Sequence, residues 1–419
     1  MSRLTGVRRA AGFSSALWRE RYNRWYAGRF RGNDLARLRL RAGRRDPYPI
    51  YERMRGKGPM QLTRSGDWAT TSHALCNQVL RSRSFGVAEP DAVHRDGGHA
   101  EFDLSFLGLN PPDHGRLRRL AGPAFSPRMM ATYATKIEKT VHELLDAAQQ
   151  HEQLDLVPDF AAPLPIAVIT EMMGVPDADV AAFQRYGAAL GSALDGLTSL
   201  SHAREVIRAN VELEAIFDSL FALREREPRD DLISALVAAR GDRIASHELV
   251  PMCSLLLIAG FETTVNLIGN GALALLRNPE QWRVLCEQPS LAGQAVEEVL
   301  RYDSPVQETA RVSFEDTEIG GVPVRRNQWV VTLLGAANRD PETFTDPERF
   351  DITRVAEADH LSFSSGIHYC LGAPLARLEA TIAFAALADR MPGLRQAGRV
   401  VRRPSTTIRG PRVLPVAPR

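Results

Sequence analysis

The chain has 419 residues, of which 44% are hydrophobic and 24% charged, so it can bury a large core and does not have the composition of a disordered or fibrous protein. No apolar run approaches the roughly 18 residues needed to span a bilayer, which argues against a membrane-inserted protein. The four cysteines have no paired spacing, which argues against a disulfide framework or a zinc ribbon, and we expect a cytoplasmic protein. They are Cys76, Cys253, Cys286 and Cys370.

The first 45 residues are strongly basic. They carry thirteen arginines against Glu20 and Asp34, a balance of +11, while the rest of the chain carries 39 basic and 48 acidic groups. Within them aromatic side chains recur at helical spacing and arginines fill the other faces, so we predict a basic amphipathic extension over residues 1–45 and one body over residues 46–419. The aromatic residues are Trp18, Tyr22, Trp25, Tyr26 and Phe30, and the arginines are Arg19, Arg21, Arg24 and Arg31.

Three roles are open for this extension. It could dock its aromatic face on the acidic body, it could bind a membrane surface, or it could contact a protein partner. No other part of the chain supports a nucleic-acid role, so we expect no nucleic-acid partner.

The body reads as mostly helical with one β-rich interval. From Arg311 to Thr332, β-branched residues surround a Gly320-Gly321 turn, which is typical of a hairpin. Prolines occur at turns and no linker or internal repeat interrupts the body. The sequence therefore predicts a mainly α, α+β fold built as a single domain.

The stretch from Phe363 to Glu379 carries the strongest chemical signal. It places Cys370 between Gly366 and Gly372 at the start of an apolar helix, where backbone N–H groups and the helix dipole favour a thiolate and glycines let a flat ligand approach. The pattern Phe-x-x-Gly-x-His-x-Cys-x-Gly resembles the haem-binding loop of cytochromes P450. This resemblance implies the P450 fold and haem b, with Cys370 as the axial thiolate ligand of the iron.

The same resemblance assigns roles to the neighbours of this cysteine. Phe363 is expected to pack beside the sulfur and His368 to face a haem propionate. Ser364 stands where many relatives have glycine. The other three cysteines are expected to be small buried apolar residues, which is the usual environment of an isolated cysteine.

A second motif, Glu298-Val-Leu-Arg301, places opposite charges three residues apart on one helix face. Alone, such a pair is most often an exposed salt bridge that contributes little to stability. In the P450 family it is buried and completed by a later arginine, which the resemblance matches here to Arg349.

A third motif, Ala259-Gly260-Phe261-Glu262-Thr263, lies in a long apolar helix. An isolated Glu262 would be solvated or ion-paired, and an isolated Thr263 would bond back to its own helix. The resemblance implies instead that Gly260 admits oxygen and substrate, that Thr263 delivers protons for cleavage of the O–O bond, and that Glu262 connects this site to solvent.

Basic residues are needed for the two haem carboxylates. The His114-x-x-x-Arg118 pair and Arg311 occupy the positions that the family uses for this purpose. Substrate contacts are expected in residues 85–106, 185–200, 256–264 and 306–310 and near Thr406, for a mid-sized, largely apolar small molecule.

The resemblance implies a soluble bacterial monooxygenase that inserts one oxygen atom from O2 by hydroxylation or epoxidation. Because the sequence shows no iron–sulfur or dinucleotide-binding motif, electrons from NAD(P)H are expected through a separate ferredoxin and ferredoxin reductase. A P450-fold enzyme of oxidative coupling or peroxide-dependent chemistry, and a non-catalytic haem protein, are the alternatives. We expect a monomer.

Overall fold

Helices make up most of the chain in the computed structural model. The structure describes residues 18–19, 22–23, 25–63, 66–89, 103–176, 180–195 and 197–418. The α-helices are α1 (Asp34–Leu38), α2 (Arg41–Arg45), α3 (Tyr48–Arg55), α4 (His73–Arg81), α5 (Asp113–Ala121), α6 (Pro127–Ala148), α7 (Pro163–Met173), α8 (Val180–Gly191), α9 (Leu200–Arg226), α10 (Leu232–Ala238), α11 (Ser246–Arg277), α12 (Pro279–Glu287), α13 (Ala292–Tyr302), α14 (Leu334–Ala337) and α15 (Ala373–Arg390).

In the part of the chain that the structure describes, the strands are short and form four small sheets. The largest has the order β1-β2-β8-β5-β3, with β2 and β8 parallel and the other neighbours antiparallel. The strands are β1 (Met60–Leu62), β2 (Trp68–Thr70), β3 (Phe85–Gly86), β4 (Leu154–Asp155), β5 (Thr309–Ser313), β6 (Thr317–Ile319), β7 (Val322–Val324), β8 (Trp329–Thr332), β9 (Arg395–Gln396), β10 (Val401–Arg402), β11 (Pro411–Val413) and β12 (Pro415–Ala417).

The predicted hairpin is present. Strands β6 and β7 pair antiparallel around Gly320 and Gly321, which have φ of +57° and +79°. Residues with a side chain rarely adopt this left-handed conformation, which accounts for two successive glycines at the turn. The β-rich interval and the helical remainder confirm the predicted mainly α, α+β fold.

Helix α11 is the centre of the core. Its residues are apolar on nearly all sides, and it packs against α7, α8, α13 and α15. Gly271 permits the contact with α15, because a Cβ at this position would lie 2.1 Å from the Phe384 ring. Arg116 in α5 donates to Glu248 in the first turn of α11 at 2.6 Å and so fixes α5 against the same helix.

Helix α11 is also long and apolar enough to cross a membrane by length and composition. However, 83% of its most apolar 18-residue window is buried inside the protein. Burial of this kind is typical of the central helix of a globular fold.

The end of the predicted extension packs into the body, which corrects its boundary. Leu38 is 3% exposed in a cluster with Tyr51 and Leu333, and Asp34 accepts from Arg53 at 2.9 Å. A short apolar helix gains most of its stability from such packing. Residues 34–45 therefore belong structurally to the body, and the arm that precedes them comprises residues 1–33.

Candidate functional site

The loop before α15 folds back on itself and brings Cys370 beside Phe363. The Cys370 N–H donates to the Phe363 carbonyl at 2.8 Å, and the Tyr369 N–H donates to the Gly366 carbonyl at 3.1 Å. Two positions in the loop are left-handed, Ser364 with φ of +62° and Gly366 with φ of +69°. Serine at 364 therefore adopts the conformation that glycine adopts most readily.

The two glycines that flank this cysteine have different environments. A Cβ on Gly366 would lie 2.4 Å from the Leu80 carbonyl oxygen, so glycine is required there by the end of α4. A Cβ on Gly372 would meet only the Phe125 ring, at an ordinary contact distance of 3.6 Å. The close approach predicted at Gly366 is thus to protein backbone, while Gly372 leaves space on its side of the loop.

The Cys370 side chain is accessible although protein atoms surround it, so it faces a recess. Burial raises the pKa of its thiol, and the opposing effects of the Gly372 and Ala373 N–H groups and of the Arg118 guanidinium do not offset this. The helix start alone predicts a lowered thiol pKa at Cys370, but burial raises this pKa instead. A metal ion at Sγ replaces the proton, so the arrangement suits a metal–thiolate bond.

The other cysteines behave as predicted for apolar residues. Cys76 and Cys253 are fully buried, and burial raises the pKa of both thiols and that of the half-buried Cys286. Among the described residues, no group of three or more metal-ligating side chains is present. Only Cys370 combines accessibility with a turn at a helix start.

Arg377, which the sequence analysis did not single out, stabilises the loop from α15. Its guanidinium lies 4.5 Å from the centre of the Phe363 ring, and Nη1 donates to the Tyr369 hydroxyl at 3.0 Å. Its charge is paired with Glu297 at 2.7 Å. A cation over an aromatic face is attractive, so Arg377 helps hold Phe363 beside the cysteine backbone.

Four basic side chains converge on one side of this loop, and we term them the basic cluster: His114, Arg118, Arg311 and His368. The rings of His114 and His368 lie 4.1 Å apart, and Arg118 donates to the Tyr369 carbonyl at 2.5 Å. Three separate elements supply them, because α5 provides two residues one turn apart, β5 the third and the cysteine loop the fourth.

The electrostatics of the basic cluster are unfavourable in the protein alone. Burial, then the neighbouring His114 and arginines, lowers the pKa of His368 to about 3, and burial lowers that of Arg311 to about 10. Burial and the two arginines also lower the pKa of His114. The Nε2 atoms of both histidines are buried without a hydrogen-bond partner.

The basic cluster fits an anionic ligand with carboxylate groups. No carboxylate in the described part of the chain forms an ion pair with Arg118 or Arg311. A buried cation that lacks an anion is costly unless a ligand supplies one. The two propionates of haem b would supply two carboxylates beside Cys370, so the residues present match this group.

A second buried charged group lies at the end of α13. Arg301 donates to Glu298 twice, at 2.7 Å each, and both side chains are at most 4% exposed. The third member is Arg354, whose Nε lies 3.4 Å from Glu298 Oε2. We call Glu298, Arg301 and Arg354 the structural triad.

The assignment of Arg349 to this triad is wrong. Its side chain is 65% exposed and pairs with Asp351 at 3.4 Å, while its backbone carbonyl accepts from Arg301 at 3.0 Å. The turn that starts at Asp346 presents the backbone of residue 349 inward and directs the side chain outward. The side chain of Arg354, five residues later, points inward and contacts the Glu298 carboxylate.

The third motif, residues 259–263, lies in the middle of α11. The Thr263 hydroxyl donates to the Ala259 carbonyl at 2.6 Å, and Glu262, 3% exposed, is paired with Arg403 at 2.8 Å. These are the contacts expected of the two residues in an isolated helix. A Cβ on Gly260 would lie 3.1 Å from Ile169, so this glycine allows α7 to pack closely.

Arg403 was missed from the sequence because it follows Glu262 by 141 positions and sits in no motif. It comes directly after β10 and approaches the α11 carboxylate from the C-terminal hairpin. On the other side of Glu262, a Cβ on Gly191 would lie 2.5 Å from its Cγ. The carboxylate is thus enclosed between the end of α8 and the C-terminal segment.

The predicted substrate-contact regions are only partly described. Residues 90–102 of the first stretch and residue 196 of the second lie outside the described residues. The third stretch forms part of α11, and Val306 pairs with Ile408 beside the segment that contains Thr406. The C-terminal segment therefore approaches the residues that follow α13.

Comparison with known proteins agrees with the geometry of the cysteine loop. Residues 197–390 match the family model described as Cytochrome P450. The chain is 42% identical to the "Biotin biosynthesis cytochrome P450" of Bacillus subtilis (strain 168) over 358 residues, which cover 84% of this chain and 90% of that protein.

Solved structures show the same similarity. P450BioI in complex with acyl carrier protein ligated to hexadec-9Z-enoic acid has a TM-score of 0.82 at 41% identity, covering 89% of this chain and 98% of that one. Ligand-free CYP164A2 of Mycobacterium smegmatis has a TM-score of 0.84 at 41% identity, covering 92% and 99%. With the cysteine loop described above, these matches show that the chain belongs to the cytochrome P450 family, a family of haem-thiolate monooxygenases.

Proposed function

We propose that this chain is a monooxygenase that inserts one oxygen atom from O2 into a mid-sized, largely apolar organic substrate by hydroxylation or epoxidation. The observation that carries the proposal is the convergence of Cys370 and the basic cluster at one loop, a thiol beside four basic groups with no acid among them. Family membership supports the reaction class. The electrons would come from NAD(P)H through a separate ferredoxin reductase and ferredoxin in the cytoplasm.

The residues that would hold haem b are those of the loop and the basic cluster. Cys370 Sγ would bind the iron, and His114, Arg118, Arg311 and His368 would bind the propionates. When bound, the haem supplies the iron centre at which dioxygen is activated. Charge-assisted hydrogen bonds to carboxylates are stronger than neutral ones. The propionates would therefore give the Nε2 atoms of His114 and His368 the hydrogen-bond partners that they lack.

Thr263 would position a proton for the reaction. Its own hydroxyl hydrogen is directed to the Ala259 carbonyl at 2.6 Å, which leaves the Oγ1 lone pairs to accept a hydrogen bond. The side chain is only partly buried. An acceptor of fixed direction at this point would hold an ordered water or a ligand hydroxyl in line for proton transfer.

Glu262 would connect this point with solvent, and Arg403 would position it. The 2.8 Å ion pair fixes the direction of Oε2. To pass a proton, the carboxylate would bind a water on the Thr263 side through one of its two oxygens. Arg403 is therefore a positioning residue, because its contact with Glu262 determines where the carboxylate lies relative to Thr263.

A fatty acyl chain is the substrate class that we propose to test first. P450BioI, similar to this chain over 89% of its length, was solved with a carrier protein that bears a 16-carbon unsaturated acyl group. Such a chain matches the mid-sized apolar molecule expected from the predicted contact regions. Terpenoids, polyketides and steroids are the other classes that the sequence leaves open.

The test is turnover under 18O2 with a plant-type ferredoxin, ferredoxin reductase, NADPH and hexadec-9Z-enoic acid. One 18O atom in the product and NADPH consumption that depends on the acid are the expected results. Product that forms only with hydrogen peroxide, or a coupled product without 18O, would assign the chain to the alternative P450 chemistries. Haem reduction without any product from a panel of acyl, steroid and terpenoid probes would favour a non-catalytic protein.

A further inference from the structure

The described part of the N-terminal arm, which comprises residues 1–33, exposes a row of aromatic side chains. Its described residues at 18–19, 22–23 and 25–30 are helical. The five large aromatic side chains among them are between 37% and 66% exposed: Trp18, Tyr22, Trp25, Tyr26 and Phe30. Such a concentration of exposed aromatic area is unusual for a monomeric globular surface and marks an interaction site.

These rings pack on one another. Trp18 and Tyr22 stack at 5.5 Å, Tyr22 and Tyr26 at 6.3 Å, and Tyr26 and Phe30 follow at 5.7 Å. Trp25 joins the row through Phe30 at 5.2 Å. The four-residue spacing places them along one helix face, and that face is open enough for a ligand to reach every ring.

Arginines border the row of rings. The Arg29 guanidinium lies 5.8 Å from the Phe30 ring centre, and that of Arg31 lies 5.4 Å from the Tyr26 ring centre. Over residues 1–33 the sequence has eight arginines against Glu20, a balance of +7. Residues 34–45 add five arginines against Asp34, and residues 46–419 have 39 basic and 48 acidic groups, so the cationic excess lies in the arm and the segment directly after it.

The base of the arm is tied to the body. Gly28 is buried, its carbonyl accepts from Arg37 Nε at 2.7 Å, and a Cβ there would lie 2.9 Å from Leu40. Arg39 continues the connection with an ion pair to Glu308 at 3.0 Å. Because these contacts fix the base of the arm to the body, a surface that binds the arm would also hold the body close to it.

We propose that the arm is an interfacial anchor that binds the surface of an anionic lipid bilayer. A helix with one aromatic face and arginines beside it combines the two signals that stable attachment to an interface needs, apolar burial and attraction to anionic headgroups. Tryptophan and tyrosine prefer the headgroup level because each ring has an apolar body and a polar tip. Each basic residue near such a surface contributes attraction that falls off within a Debye length.

An acidic protein would satisfy the arginines equally well. It would not require a row of five aromatic side chains along one helix face, since protein interfaces concentrate a few anchors at a packed centre. The lipid surface accounts for the rings and the charges together. A partner protein is the competing occupant and is one outcome of the test.

The test measures co-sedimentation of the full haem-loaded chain with phosphatidylglycerol and with phosphatidylcholine vesicles. The native chain is expected to bind the anionic vesicles and to be released near about 1 M salt, where the Debye length is about 3 Å. The triple change Trp18→Ser, Trp25→Ser and Phe30→Ser should weaken binding by at least about tenfold. The change of Arg19, Arg29 and Arg31 to Gln should weaken it by about 100-fold.

The matched control carries Ile207→Ser and Val211→Ser, which replace two exposed apolar side chains on α9 that are 51% and 58% exposed. It should bind vesicles as the native chain does. Failure of the native chain to bind anionic vesicles, or equal binding by the aromatic variant, would overturn the proposal, and so would retention only on an immobilised acidic ferredoxin. The thiolate spectrum, recorded on each sample, reports separately on the proposed enzymatic function because every haem-site residue lies at 114 or later.

Discussion

Two groups of buried basic side chains in this protein differ in how their charges are satisfied. In the structural triad, Arg301 makes five hydrogen bonds, two to Glu298 and three to backbone carbonyls. In the basic cluster, the equally buried Arg311 makes two, to the Thr309 hydroxyl and the Ala310 carbonyl. All five donors of Arg301 are accepted within the protein, and those of Arg311 are not.

This difference separates architecture from ligand binding. A buried arginine whose donors are all accepted by its own chain stabilises only that fold, and removing its partner leaves an uncompensated charge. A buried arginine beside two histidines with orphaned nitrogens is a site prepared for an anion from outside. Burial alone does not distinguish them, because Arg301 and Arg311 are 3% and 5% exposed.

The largest effect is expected in the structural triad. Arg301→Leu leaves Glu298 buried without its main partner, so the free energy of unfolding should fall by about 3–5 kcal/mol, measured by urea denaturation of the haem-loaded protein. Arg354→Ala should also destabilise, whereas the control Arg349→Ala should change stability by less than about 0.5 kcal/mol. If Arg349→Ala destabilised the protein more than Arg354→Ala, Arg349 would be the third member of the triad, as the family resemblance predicts.

Glu379 is a buried acidic group that is satisfied in a third way, because a carboxyl can lose its charge by binding a proton. Glu379 in α15 is 2% exposed, its Oε2 has no hydrogen-bond partner, and burial raises its pKa to about 8. The folded state therefore holds a proton that the unfolded chain releases near its ordinary pKa of 4.5. Stability should fall as pH rises from about 5 to 8 and then stay low, since each unit of pKa shift corresponds to about 1.4 kcal/mol.

Glu379→Gln should remove most of this pH dependence. The variant should equal the native protein near pH 5 and exceed it in stability by about 2–4 kcal/mol at pH 8, measured by denaturation at both values. Parallel stability profiles of the two proteins between pH 5 and pH 8 would show that the carboxyl does not titrate in this range.

In the basic cluster, the same kind of substitution should affect the ligand and not the fold. Arg311→Leu removes a charge-assisted hydrogen bond worth about 1.5–3 kcal/mol, so haem should dissociate about 10- to 100-fold more readily. The measurement is the rate of haem transfer to apomyoglobin. The unfolding free energy of the haem-free variant should not decrease, because a buried cation without an anion has been removed; a large loss would place Arg311 with the structural triad.

The smallest structural change, at Thr263, should affect the chemistry alone. Thr263→Ala removes the Oγ1 acceptor without disturbing the ion pair of Glu262, so haem content and substrate binding should stay constant. Product per NADPH should fall by about tenfold and hydrogen peroxide should rise in its place. Thr263→Ser, which keeps the hydroxyl, should restore coupling; full coupling in the alanine variant would remove Thr263 from the relay.

Sequence was a good guide where one short segment contains all the interacting parts. The cysteine loop and the Gly320-Gly321 hairpin each form from neighbouring residues, so their spacing already reflects their geometry. The Glu298–Arg301 contact was also predictable, since residues three apart meet on one helix face.

The sequence did not predict the direction in which a side chain points or the contacts between residues far apart in the chain. Arg349 and Arg354 are five residues apart, and the intervening turn, not their spacing, decides which one points inward. The contact of Glu262 with Arg403 joins α11 to the C-terminal hairpin, and no local pattern predicts it. Likewise, the pKa of Cys370 follows from burial, which the start of a helix does not reveal.

The most direct test of the central claim is the ferrous–CO spectrum of the Cys370→Ala protein beside that of a Cys286→Ala control. Cys370 is the one cysteine of the four that lies in the loop next to the basic cluster, so the control should keep the red-shifted Soret band of thiolate ligation. The Cys370→Ala protein should lose it. A red-shifted band in that variant would contradict the assignment of Cys370 as the iron ligand and, with it, the account of the site.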